Sequence, residues 1–241
     1  MNLSTYKDIK FFQSELLNAN NFKHAFFTKR YKNNKPKELQ KELNLTSNIH
    51  CINQIHSAKV IQAKNKLNLK SKFADSIITK DKDQSLWIYT ADCVPILIAD
   101  IKTRNIAACH CGLEGLKKQI ISKTLKGLED IGSKKNDFII AIGPSIHGAK
   151  YQVMKDDVAE LIYQLSGESI TKKNLFIIKN IKDEEGELIS LFENDNNNER
   201  LLFDIQAAAI LQLLKEGIKR NQINLNRICT YSNSSLFNSY R

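Results

Sequence analysis

At 241 residues the chain is long enough for one α/β domain, and 42% apolar residues can fill a sizeable core without staples. Its 36 Lys and Arg against 26 Asp and Glu leave a formal charge of +10, enough to steer an anion. The lysines are scattered between apolar runs with no helix-turn-helix, zinc finger or aromatic stacking motif, so neither nucleic acid nor, without a run of ~20 apolar residues, a membrane is the expected partner.

The predicted elements follow in chain order. Phe22 to Thr28 reads as a strand and Pro36 to Leu43 as a short helix. Ile49 to His56 and Lys59 to Ala63 read as strands meeting at a polar corner around Ser57, and Ala74 to Thr79 as another strand before the loop Lys80 to Ser85. From Leu86 to Gly115 three continuous apolar runs are broken by polar turns, the pattern of strands buried on both faces. Leu116, Ile120, Ile121, Leu125, Leu128 and Ile131 then recur at helical spacing, with Gly132 as the stop. Phe138 to Ile142 is an apolar strand, Lys155 to Leu165 a helix and Leu175 to Ile178 a strand. Asn180 to Arg200 is acidic and Asn-rich and reads as a mobile surface excursion inside a single domain spanning residues 1–241. Asp204 is placed to cap a helix through about Gly217, and Arg227 to Tyr231 reads as the last strand. Strands alternating with helices, plus hairpin-like neighbours at the centre, predict a mixed-sheet α/β sandwich.

Cys51, Cys93, Cys109, Cys111 and Cys229 are odd in number and lack a disulfide-like rhythm, which, with no signal peptide pattern, points to a reducing compartment, the cytoplasm. His56, Cys93 and His110 each fall at a predicted strand end, where adjacent strands of one sheet can bring them to the same rim. Two imidazoles and a thiolate suit zinc, and three protein ligands leave a fourth position open, as in catalytic sites. The same residue types suit a metal-free hydrolase with Cys93 as nucleophile and His110 as base, and each suits a plain structural role. Spacing alone does not choose among these. Cys109 and Cys111, on a strand, point away from His110 and read as core-filling residues.

Gln54-Ile55-His56-Ser57, Thr90-Ala91-Asp92-Cys93-Val94-Pro95, His110-Cys111-Gly112, Ile142-Gly143-Pro144-Ser145-Ile146 and Tyr151 together resemble the ordered signature of the YfiH-like, laccase-domain family, also called the polyphenol oxidase family. His24 to Thr28, Phe73 to Thr79, Cys229-Thr230-Tyr231 and Phe237 to Arg241 resemble further blocks, so the likeness spans nearly the whole chain. Members of that family have been assigned purine nucleoside phosphorylase and adenosine deaminase activities. The resemblance implies a single α/β sandwich with zinc, or copper by family analogy, on His56, Cys93 and His110. It implies a nucleoside substrate such as adenosine, inosine or methylthioadenosine, and a homodimer. Asp92 and Asp75 are then candidates for catalytic carboxylates facing the substrate or the metal ligands.

The chain departs from the family pattern where that pattern is most regular. The usual His-Ala-Gly-Trp-Arg-Gly block is here His110-Cys111-Gly112-Leu113-Glu114-Gly115, which removes an aromatic platform and reverses a charge beside a helix start. That reversal predicts weakened phosphorolysis if Glu114 faces the site, or mere complementation of the helix dipole if it does not. The Gly-Gly-Val-Ser loop is absent after Arg30, and Tyr-Glu-Val is Tyr151-Gln152-Val153. A divergent, non-catalytic paralogue is therefore a competing expectation. A multicopper oxidase is not, because five histidines allow one small site at most.

Overall fold

The computed structural model describes residues 1–29, 35–64, 72–167, 179–182 and 186–241. Its centre is a six-stranded mixed sheet in the order Ile223–Leu225, Phe138–Ile142, Val94–Asp100, Ile106–Cys111, Ser76–Thr79 and Val60–Gln62. The central pair is antiparallel, with Pro95 opposite His110, whereas both edge strands run parallel to their neighbours. The tight turn between the central strands is held by Asp100, whose Oδ1 accepts from the Lys102 and Thr103 N–H groups at 2.8 and 2.9 Å.

Strand alternation sends the apolar residues of this sheet to two faces. Ile96, Ile98, Ile140, Ile142, Cys109 and Cys111 enter the larger core, with Leu116, Ile120, Leu125 and Leu128 and the helices Lys155–Ser166 and Ile205–Lys215. Ala99, Ile139 and Ala141 face the other way, onto Phe12, Leu17, Phe26 and Phe237. The second cover comes from the hairpin Asn2–Tyr6 and Ile9–Gln13, the helix Glu15–Ala19 and the strand Phe26–Phe27. A sheet covered on both faces is the α/β sandwich that the sequence pattern predicts, in one domain.

Several expectations hold closely. The helix Pro36–Glu42 forms, and Asp204 caps Ile205–Lys215 by accepting from the Ala207 N–H at 2.9 Å. Gly132 and Gly217 take φ of +103° and +81°, the left-handed conformation that glycine adopts without a Cβ penalty. Others need correction. The strand expected over Phe22 to Thr28 shrinks to Phe26–Phe27, because the His24 ring turns back to bond Phe22 O and the Ser14 N–H. The helix expected after Gly115 breaks at Gln119, which has φ of +61°, into Leu113–Lys117 and Ile120–Asp130. The last sheet strand is Ile223–Leu225, not Arg227 to Tyr231, whose Cys229 makes only an isolated bridge to Ser145.

Among the described residues from 179 to 203, short strands pair and part of the chain is buried. Asn180–Lys182 pairs with Leu188–Ser190 and Phe192–Asn194 with Arg200–Phe203, while Leu191 and Phe192 are buried in the main core. The polar tip at 196–199 faces solvent. The strand expected over Leu175 to Ile178 lies outside the described residues. No disulfide joins any of the five cysteines. Among the described residues no helix is long and apolar enough to cross a membrane.

Candidate metal centre

His56, Cys93 and His110 converge at one rim of the central sheet, with their donor atoms all within 4.8 Å of one another. His110 lies near the end of Ile106–Cys111 and is buried, Cys93 immediately precedes Val94–Asp100 and is half-buried, and His56 sits exposed on the corner before Val60–Gln62. The trio is therefore walled by the sheet on one side and open to solvent at His56. Cys93 Sγ is 3.8 Å from His56 Nε2, and the two imidazole rings meet edge to face at 4.9 Å.

The corner that carries His56 is shaped by Asp75, which is fully buried at the head of Ser76–Thr79. His56 has φ of +55°, a left-handed backbone that a non-glycine residue keeps only when its surroundings hold it there. Asp75 supplies the hold. Its carboxylate accepts from the N–H groups of Ile55, His56 and Ser57 and from the Ser57 hydroxyl, the last two at 2.7 Å. The same carboxylate accepts from His110 Nδ1 at 2.9 Å. A proton on Nδ1 leaves the lone pair on Nε2, which is the nitrogen free to ligate. Burial opposes ionisation of Asp75, but the bonds from His110, from the Ser57 hydroxyl and N–H and from the Ile55 N–H outweigh it and hold the carboxyl well below the usual range.

Asp92 points elsewhere. With φ of +79° it turns the chain into Cys93, and its Oδ1 accepts from Thr230 Oγ1 at 2.6 Å. Its Oδ2 accepts from Ser239 Oγ and the Tyr240 N–H at 2.8 and 2.7 Å. Both oxygens thus tie the loop before Cys93 to the last residues of the chain. Glu114 is also engaged outside the trio: Lys117 of its own helix and Lys118, which caps that helix, reach its two oxygens at 2.7 and 3.2 Å.

The donor set fits a small borderline-soft cation. Tetrahedral zinc with bonds of about 2.0–2.3 Å needs ligand atoms roughly 3.3–3.8 Å apart, so the observed spacing requires only a modest closure. Gly112 keeps the space clear, since a Cβ there would stand 2.9 Å from Cys93 Sγ and 3.1 Å from His56 Cδ2. That clearance and the Asp75 hold on both histidines escaped the sequence reading. Cys109 and Cys111 lie in the core, on the face away from the site.

The family described as "Multi-copper polyphenol oxidoreductase laccase" matches residues 29–241. A purine nucleoside phosphorylase of Synechocystis is 30% identical over 229 residues, covering 90% of this chain and 84% of that relative. A purine nucleoside phosphorylase of Bacteroides thetaiotaomicron is 33% identical over 168 residues, which cover 69% of this chain but only 55% of the relative. The crystal structure of YlmD from Geobacillus stearothermophilus superposes with a TM-score of 0.71 at 21% identity, over 85% of this chain and 72% of that one. That of the Bacillus licheniformis protein YfiH gives 0.73 at 18% identity, over 90% and 86%. The two solved structures share the fold. With the match running from residue 29 to 241 and a curated relative aligned over most of both chains, this chain belongs to the laccase-domain, YfiH-like family.

Proposed function

We propose that the chain is a zinc-dependent enzyme of the purine nucleoside phosphorylase type, with His56, Cys93 and His110 as metal ligands and adenosine, inosine or methylthioadenosine as substrates. The observation that carries this reading is the convergence of two imidazoles and a thiol with one side open, each histidine fixed by the same buried carboxylate. The names of the curated relatives support the substrate class. A bound zinc supplies Lewis-acid charge at its open position, able to polarise an oxygen of the substrate.

The protein's own residues do the rest. Asp75 keeps the proton on His110 Nδ1 and pins His56, so that the donor geometry exists before any ligand arrives. Asp75 and Asp92, the carboxylates expected to be catalytic, act in this reading as positioning residues, one for the ligands and one for the Cys93 loop. In phosphorolysis a phosphate oxygen bonds to the ribose C1′ as the C1′–N9 bond breaks. Its electron pair leaves with the purine, which then takes up a proton.

The metal-free hydrolase is less well supported. Burial, then the charges of Asp92 and Asp75, push the Cys93 thiol up to about 11, and a thiol is a weak nucleophile at neutral pH. Its nitrogen neighbour is His56, whereas His110 is bonded to Asp75. A copper cluster has no supply of ligands: His24 bonds Phe22 and Ser14, His50 bonds Gln84, and His147 accepts from the Ala149 N–H. Copper in place of zinc at the single site remains within the chemistry of the donor set. Five cysteines, none in a disulfide, suit the cytoplasm.

The test incubates metal-analysed protein with adenosine, inosine and methylthioadenosine, with and without phosphate, and identifies every product. Phosphate-dependent release of free purine with a pentose 1-phosphate is expected. Ammonia release without base release would make the enzyme a deaminase, and no product from zinc-loaded protein would make it a non-catalytic paralogue.

A further inference from the structure

His56 and Cys93 reach the donor cluster on two segments that begin as neighbours. The strand Asn48–Cys51 pairs in parallel with Gln84–Trp87, and the ladder ends with Cys51 opposite Trp87. Past that point, apart from a single bridge of Asn53 to Phe73, both segments run outside any strand, one to His56 and the other to Cys93. Each then turns through a left-handed residue at or just before its ligand, His56 with φ of +55° and Asp92 with φ of +79°. Such turns persist only where several contacts fix them.

Gln54 spans the gap between the two segments. Its Nε2 donates to Tyr89 O at 2.7 Å, and its Oε1 accepts from the Tyr89 N–H at 2.8 Å. A primary amide offers the donor and the acceptor of a peptide group, so this side chain replaces the partner that the ended ladder no longer supplies. Two bonds to one residue fix orientation as well as distance. Gln54 lies two residues before His56, and Tyr89 four before Cys93.

A longer connection between the same ligands runs through the sheet. Asp75 holds the His56 corner at the head of Ser76–Thr79, that strand pairs with Ile106–Cys111, and Ile106–Cys111 pairs with Val94–Asp100, which follows Cys93 directly. The Gln54 clasp closes this path into a ring, so the 3.8 Å between Cys93 Sγ and His56 Nε2 is spanned by two separate connections.

We propose that Gln54 is a positioning residue of the metal centre: its clasp on Tyr89 sets the separation of His56 and Cys93, and with it the affinity and geometry with which they hold one ion. The proposal rests on the metal reading above and adds a residue whose bonds go to the backbone of Tyr89 and not to a ligand. Losing a group that orients metal ligands costs about 10–100-fold in affinity, and with the sheet connection intact the lower end applies.

Cobalt(II) serves as the probe beside zinc, because its absorption bands report thiolate ligation and four-coordination. Parent, Gln54→Met and Gln54→Glu are compared as full-length proteins, with zinc affinity read by competition with a chelator. Gln54→Met keeps the side-chain length and removes both bonds, whereas Gln54→Glu keeps the acceptor for the Tyr89 N–H and sets a second oxygen against Tyr89 O. Both should bind zinc about tenfold more weakly than the parent and show a weakened or shifted sulfur-to-cobalt band, at an unchanged melting temperature of the metal-free protein. Parent-like affinity and cobalt bands in Gln54→Met would overturn the proposal. A lower melting temperature with unchanged cobalt bands would overturn it too, as the mark of a purely structural contact. If Gln54→Met fails to fold, the same readouts on Gln54→Glu decide. A parent that binds neither zinc nor cobalt would instead overturn the metal reading itself, and the role of the clasp with it.

Discussion

Two buried aspartates flank the site, and they do opposite jobs. Asp75 turns inward, accepting from His110 and from the corner that carries His56, whereas Asp92, adjacent in sequence to Cys93, turns away to Thr230, Ser239 and Tyr240. Chain adjacency to Cys93 is therefore a poor guide to which carboxylate meets the two histidines. Asp75 lies 35 residues before His110 and touches it, because Ser76–Thr79 and Ile106–Cys111 are hydrogen-bonded neighbours in the sheet. The lesson is that pairing of strands, not spacing along the chain, decides which acid meets which base.

Substituting each aspartate by asparagine puts that contrast to a direct trial. The largest effect is expected for Asp75→Asn, where an amide N–H₂ confronts donors at the His56 corner and the charge behind His110 is lost. Zinc affinity should fall about 10–100-fold, the usual cost of losing the partner behind a ligating histidine, as read by competition with a chelator. Unchanged affinity would remove Asp75 from the account. For Asp92→Asn the expectation is the reverse, a lower melting temperature from loosening the C-terminal segment but the same zinc stoichiometry. Zinc loss as severe as in Asp75→Asn would erase the distinction.

Asp100 is a third buried aspartate, remote in role, and calibrates the other two. Burial disfavours its charge, yet the N–H groups of Thr103 and Lys102 and the hydroxyls of Thr103 and Ser133 hold its pKa below the usual value. A depressed folded-state pKa contributes stability that is present above the unfolded value near ~3.9 and is lost as pH falls through the folded one. Asp100→Asn should therefore cost about 1–3 kcal/mol at pH 7, with the deficit shrinking below pH ~4 and zinc binding untouched. A deficit independent of pH would mean that the charge contributes nothing. The smallest effect is expected from deleting Asn196 to Asn198 at the solvent-facing tip, with a melting temperature close to that of the parent. A large loss there would show that the tip, like Leu191 and Phe192, packs against the body.

Much of this was legible in the residues. Val94–Asp100, Ile106–Cys111 and Phe138–Ile142 announce themselves as uninterrupted apolar runs, and the ordered blocks around His56, Cys93 and His110 picked out the three side chains that converge. The N-terminal hairpin was not legible, because Asn2–Tyr6 is largely exposed and carries no apolar alternation to mark it. The break at Gln119 has no sequence signal, since nothing distinguishes a glutamine forced to φ of +61° from one in a helix. Gly112 could be seen in its block, but the need for a bare Cα appears only when Cys93 and His56 are brought against it from other strands. Within 180–200, composition favoured the polar tip over the short apolar run Leu188 to Phe192, and it was that run which carried the burial.

The account turns on one metal ion held by one thiol and two imidazoles. Its most direct test is elemental analysis of the purified parent and of Cys93→Ser, after equal exposure to zinc and removal of the unbound excess. One zinc per chain is predicted for the parent, and well under half of that for Cys93→Ser with its fold intact, because zinc loses its only thiolate. Full zinc stoichiometry in Cys93→Ser would contradict the assigned site.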